Sequence, residues 1–160
     1  MAGIQVQNAI NIRVSENVVI LSLASDLNSI GIALGNSSQC VVRDNTISGS
    51  RSDGIHLYWS NSNVILRNSS SGATGGWSSA IYVDGNANTI QWNTCNGNAS
   101  TGINIVAGNN QTLDGNVASQ NGGWGILLGG SGSVYSNNRT LGNTGGGISA
   151  GTNTNGGGNF

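Results

Sequence analysis

A small residue followed by isoleucine recurs along this chain at a nearly constant interval, and that recurrence restricts the folds open to it. The pairs are Gly31-Ile32, Gly54-Ile55, Ala80-Ile81, Gly102-Ile103, Gly125-Ile126 and Gly147-Ile148, at steps of 23, 26, 22, 23 and 22 residues. Gly3-Ile4 is a candidate earlier member, 28 residues before Gly31. A second series runs out of phase with the first, an apolar residue three positions before an asparagine: Val42 with Asn45, Ile65 with Asn68, Ile90 with Asn93, Leu113 with Asn116 and Val134 with Asn137. At the last of these Asn138 serves as well. A weaker third series is Ile47, Ser70, Cys95 and Ala118.

Each repeat therefore holds three short strands separated by turns. Within a strand the pattern alternates, as in Gly102-Ile103-Asn104-Ile105, which puts one face in and one face out. One turn of this length cannot bury its own apolar face and must stack on the next, giving a solenoid. Stacked strands lie about 4.8 Å apart. Ile32, Ile55, Ile81, Ile103, Ile126 and Ile148 then form one inward row, and Val42, Ile65, Ile90, Leu113 and Val134 a second. The repeated asparagine is expected to form an inward ladder at a corner, its amide bonding the same amide one coil away and the turn backbone.

Composition agrees. Only 7% of the residues are charged, against about 25% in ordinary soluble domains, and the surface is left to Asn, Ser, Thr and Gly. There is no proline, as expected where nearly every strand must donate as well as accept ladder bonds. The net charge is −1 and no basic cluster exists, which excludes a nucleic-acid footprint. No apolar run reaches the roughly 20 residues of a membrane span, and no signal peptide is visible at Met1-Ala2-Gly3. A leucine-rich horseshoe is excluded because neither its leucine pattern nor a helical segment is present. Cys40 and Cys95 occupy different positions of the repeat and are expected as free thiols, buried or half-buried.

The units Asn63-Val64-Ile65-Leu66-Arg67-Asn68 and Gly54-Ile55-His56-Leu57 resemble the repeats of the pectin-lyase-like superfamily, and most closely its NosD-type members. The resemblance covers roughly residues 31 to 150. It implies a right-handed, single-stranded parallel β-helix of about six coils, all-β, with three short strands per coil, and it favours an exported protein, periplasmic or extracellular. It carries no activity with it. The superfamily includes lyases, hydrolases, epimerases and proteins without known chemistry, and none of the enzymes' catalytic motifs is matched. An Asp-Pro-His motif is impossible without proline, acidic residues are not clustered, and only one histidine exists. The organisation expected is a single domain: residues 1–30 as an N-terminal apolar coil or lid, 31–155 as the helix repeats, and 156–160 as an open tail. Both ends read as uncapped, so self-association through the coil ends is expected.

Registering the coils brings outward residues together. His56 and Tyr82 become neighbours, with Asp53 near His56 on its own strand and Asp84 next to Tyr58. Arg51 and Trp59 are close in the chain, and the longest coil carries the loop Gly75-Gly76-Trp77-Ser78 beside this face. Aromatic rings stack on the C–H faces of sugars, and Asp, His and Arg bond hydroxyls, so Arg51, His56, Trp59, Trp77, Tyr82 and Asp84 are the candidate ligand-binding residues. The bland alternative is surface decoration, with His56 bonded to Asp53. As an acid–base pair Asp53 and His56 are the catalytic candidates, two residues of common type. No metal site or cofactor is expected, since one His, two separated Cys and scattered carboxylates match no common ligand spacing. Asp44, Arg67 and Trp92 fall at equivalent positions of adjacent coils, expected as a surface ion pair beside a ring. Three functions follow. The first is a noncatalytic module binding a polysaccharide or a protein partner around His56 and Tyr82, and the sequence leans to this non-enzyme. The second is a minimal polysaccharide lyase or glycoside hydrolase using Asp53 and His56. The third is an assembly protein working through its coil ends.

Overall fold

A computed structural model describes residues 2–21 and 28–160. They form 18 short strands, all paired in parallel, in three sheets. The first sheet stacks β1 (Ala2–Gln7), β4 (Ile30–Gly35), β7 (Ile55–Tyr58), β10 (Ile81–Asp84), β13 (Ile103–Ala107), β15 (Trp124–Leu128) and β17 (Gly146–Ser149) in that order. The second stacks β2 (Arg13–Ser15), β5 (Val41–Arg43), β8 (Val64–Leu66), β11 (Thr89–Gln91), β14 (Thr112–Asp114), β16 (Val134–Ser136) and β18 (Thr154–Gly157). The third holds β3 (Val18–Ile20), β6 (Thr46–Ser48), β9 (Ser69–Ser71) and β12 (Thr94–Asn96), and continues as single bridges from Thr94 to Val117 and from Val117 to Arg139. Successive coils thus visit the three sheets in turn, which is a parallel β-solenoid with three strands per coil.

The register follows the repeat. Ile4, Ile32, Ile55, Ile81, Ile103, Ile126 and Ile148 pair in one row, and those from Ile32 to Ile126 are fully buried. In the second sheet Val14, Val42, Ile65, Ile90 and Leu113 point inward. Here the sequence reading needs a correction. The next residue of that row is Tyr135, paired with Leu113, while Val134 pairs with Thr112 and is exposed. The same one-residue change resolves the Asn137/Asn138 ambiguity: Asn138 is buried, and Asn137 turns outward at a φ of 54°. Asparagine tolerates that left-handed conformation, so two adjacent asparagines divide the inward and outward positions between them.

The third inward row, Ile47, Ser70, Cys95 and Ala118, explains why the residue before each ladder isoleucine is small. A methyl group added at Gly54 would collide with the Ser70 hydroxyl, and one at Gly102 would stand 2.8 Å from the Ala118 Cβ. The first and third sheets press together there, so the position is small throughout, glycine where the side chain opposite leaves no room for a methyl and alanine only at Ala80. Cys40 and Cys95 are free and buried.

All three corners carry an inward polar ladder, where one was expected. Asn17, Asn45, Asn68, Asn93, Asn116, Asn138 and Asn159 form the expected one. Each Oδ1 from Asn45 onward accepts both the backbone N–H and the Nδ2–H of the preceding member, as from Asn68 to Asn93 at 2.9 and 3.0 Å. Asn93 also donates from Nδ2 to the Ile65 carbonyl at 2.9 Å. A second ladder runs through Asn63, Asn88, Gln111 and Ser133, and a third through Asn98, Asn121 and Asn143. These side chains satisfy turn N–H groups that the strand ladders leave over, so a buried corner costs no unpaired donor.

Of the N-terminal segment 1–30, residues 22–27 lie outside the described residues. Val14 and Val19 within that segment are inward-facing members of β2 and β3. At the other end Asn159 and Phe160 bond to the coil before them, through Asn138 and Thr140. Among the described residues no helix is long and apolar enough to cross a membrane.

Candidate functional site

The outer face of the first sheet takes its chemistry from two adjacent strands, β7 and β10. Alternation sends Ile55 and Leu57 inward and leaves His56 and Tyr58 outside, while on β10 it leaves Tyr82 and Asp84 outside. Parallel pairing then sets His56 beside Tyr82 and Tyr58 beside Asp84. The sequence reading placed these four residues in the same register.

Asp53 organises the start of this face. It is 4% exposed. Its Oδ2 lies 2.8 Å from His56 Nδ1, and its Oδ1 accepts the Ser79 N–H at 2.7 Å. A carboxylate can only accept, so in the neutral ring Nδ1 carries the proton and Nε2 keeps its lone pair. Asp53 therefore fixes both the orientation and the tautomer of His56. It also ties the strand to the coil that carries the Gly75–Ser78 loop. The Tyr82 ring stacks on the imidazole with centroids 4.5 Å apart and planes 28° from parallel. Burial, and then the negative charges of Asp84 and Asp53, raise the Tyr82 phenol above its ordinary pKa near 10, so it is a neutral hydroxyl, able to donate and accept, at any physiological pH.

At the far end of β7 the chain turns through Trp59, at a φ of 48°. Tyr58 stacks on Trp59 at 4.4 Å and 22°. Trp59 then walls an open hollow of about 340 Å³ that also takes in Asp84, Asn61, Asn86 and Asn109. The three asparagines form an outward amide row, each Oδ1 accepting the next coil's backbone N–H, at 2.7 Å from Asn86 to Asn61 and 2.8 Å from Asn109 to Asn86. The floor is Gly85 and Gly108, with φ of 153° and 112°. A side chain at either would strike the carbonyl of the coil before it, so the corner requires glycine and the hollow is its consequence.

A second hollow, of about 270 Å³, opens before β7, between Arg51, Ser52, Trp77 and Ser78. Trp77 is 94% exposed. Of the six ligand-binding candidates, the structure gathers His56 with Tyr82, Trp59 with Asp84, and Arg51 with Trp77. The first pair lies between the other two, and Arg51 and Trp59 stand at opposite ends of one strand.

Sequence reasoning missed the amide row and the glycine floor. Asn61, Asn86 and Asn109 do recur at steps of 25 and 23 residues, but in a chain this rich in asparagine the spacing is masked. A third hollow, of about 380 Å³, was also missed; it lies on the third sheet around Arg139, Asn96 and Leu141. On the corner after the second sheet, Arg67 grips Asp44 through Nε at 2.7 Å and Nη2 at 2.9 Å. The Arg67 hydrogen bond is the main reason the Asp44 carboxyl titrates below its usual range. Trp92, one coil on, lies against Gly115. This corner is an exposed ion pair and a surface ring, consistent with a structural role.

Two comparisons bear on the chain. A family model described as "Periplasmic copper-binding protein (NosD)" matches residues 2–156. No curated protein matches it.

Proposed function

The chain belongs to the NosD family, and on that footing we propose that it is a noncatalytic β-helix module of the periplasm that binds a polysaccharide on the outer face of β7 and β10. The observation that carries this reading is the continuous polar–aromatic strip: an imidazole held by a buried carboxylate, a tyrosine stacked on it, and a tryptophan-walled hollow lined by a carboxylate and three amides. Flat rings offer a negative π face to sugar C–H groups, and the polar groups around them match a hydroxyl-rich ligand better than an apolar one.

Copper, which the family description names, meets a poor donor set here. Copper sites draw on thiolate, thioether and imidazole. Cys40 is buried just before β5 and Cys95 is buried within β12, burial pushes the Cys95 thiol well up, and His56 spends Nδ1 on Asp53. Among the described residues no three of His, Cys, Asp and Glu come together. These residues do not fit a copper centre.

One observation favours a second reading. The 2.8 Å Asp53–His56 bond leaves Nε2 facing outward as a base, the arrangement a minimal lyase or hydrolase would use. A single experiment separates the two. The protein is applied to an array of neutral and acidic glycans, and the same glycans in solution are assayed for new reducing or unsaturated ends. Binding that falls at least tenfold in Tyr82→Ala, is unchanged in Trp92→Ala and is unaccompanied by new ends supports the module. New ends that disappear in His56→Ala support the enzyme. A blank array with no new ends contradicts both and turns attention to a protein partner.

A further inference from the structure

The aromatic face is narrow along the helix axis and long across it. One coil back, the positions of His56 and Tyr58 are occupied by Ala33 and Gly35. One coil beyond Tyr82 and Asp84 stand Asn104 and Ala107. The ring-bearing surface is therefore two coils wide, about 5 Å from strand to strand, and it ends in small or amide side chains on both sides. In the other direction it continues. Along the strand direction come the Trp77 hollow beside Ser52 and Ser78, then the Asp53-fixed His56 on Tyr82, then Tyr58, then the Trp59 hollow with Asp84. From Asp53 to Trp59 the chain advances six residues, roughly 20 Å at about 3.3 Å per residue.

We infer that the ligand is an oligosaccharide segment lying across the solenoid, parallel to β7 and β10, with one sugar seated against Trp59 and another against Trp77. This deepens the reading above and rests on it. The two ends differ in chemistry. The Trp59 hollow offers one carboxylate and three amides and no cationic side chain, so it takes an uncharged sugar through its hydroxyls. The Trp77 hollow is lined by Arg51 and accepts a sugar with or without an acidic group. A polymer of alternating or wholly neutral units satisfies both ends, whereas a continuous polyuronate would set a carboxylate against Asp84.

Length series of cello-, xylo- and galacturonate oligosaccharides test this by titration calorimetry on the intact chain. For a neutral series, affinity is expected to climb over the first few units and then level off once both hollows are filled. Trp77→Ala should lower the affinity of the longest oligomer by about tenfold, the loss of one stacked ring, and leave the disaccharide unchanged. Trp59→Ala should weaken short and long oligomers alike. Both variants replace exposed rings, and circular dichroism checks that their coils are intact. Binding that is independent of length, insensitive to Trp77→Ala for the longest oligomer, or strongest for the galacturonate series overturns the crossing path while leaving the face as a binding site. No binding by any of the three series overturns the path, and the array of neutral and acidic glycans then decides the proposed function separately.

Discussion

The asparagine at the corner between the second and third sheets is the clearest case of a side chain replacing backbone partners. Asn93 accepts from the Asn68 backbone and side chain and donates to Asn116 and to the Ile65 carbonyl. Removing it leaves the buried Asn68 backbone N–H and one hydrogen of the Asn68 Nδ2 without an acceptor. Each such group costs about 1–3 kcal/mol, so Asn93→Ala should lose about 2–5 kcal/mol in urea unfolding. Asn86→Ala, on the outward row, should lose under about 1 kcal/mol. Equal losses would mean that the inward ladder is not what holds the corner. This ladder was legible in the sequence because one residue type recurs unchanged at one place per coil. The corner through Asn63, Asn88, Gln111 and Ser133 was not, because three different side chains do the same work there, and the row Asn98, Asn121 and Asn143 is short and masked in a chain this rich in asparagine. The hollow at Trp59 was not legible either: it exists because Gly85 and Gly108 bring backbone onto backbone, and a sequence shows glycine without showing what lies over it.

Between strands, the informative contact is the one where the first sheet meets the third. The sequence shows the small residue of each Gly-Ile pair only as a recurrence, and its size is set by the side chain opposite. Gly54 faces Ser70, Gly102 faces Ala118, and Gly125 faces Thr140. Gly54→Ala should therefore be destabilising by about 1–3 kcal/mol, the usual range for overpacking. Ser70→Gly in the same chain should recover most of that loss, because the Ser70 hydroxyl is the first atom the new methyl meets and has no hydrogen-bond partner of its own. A double-mutant cycle with no coupling would show that the new methyl is resisted by the backbone of the next coil instead. The strand pairings themselves, including His56 with Tyr82, followed from the repeat alone. The shift to Tyr135 and Asn138 did not, since two adjacent asparagines fit the spacing equally and only the left-handed backbone at Asn137 separates them.

Taken whole, the molecule is a stack in which each coil contacts mainly the coil before and after it, so its stability is close to a sum of neighbouring interfaces. Such a scaffold is indifferent to what its outer face carries, which is why the fold could be read from the repeat and the function could not. One face, of the three the stack presents, is the proposed binding face. The four tryptophans report on that claim separately. Trp59 and Trp77 border the proposed face, Trp92 lies on the opposite corner against Gly115, and Trp124 begins β15 against Gly146. The most direct measurement is the indole N–H region of a ¹H–¹⁵N spectrum, recorded as cello- or xylo-oligosaccharide is added. The account predicts that the Trp59 and Trp77 signals move together while those of Trp92 and Trp124 stay in place. Movement of Trp92 or Trp124 with Trp59 and Trp77 unchanged, or no movement at all up to millimolar sugar, would contradict it.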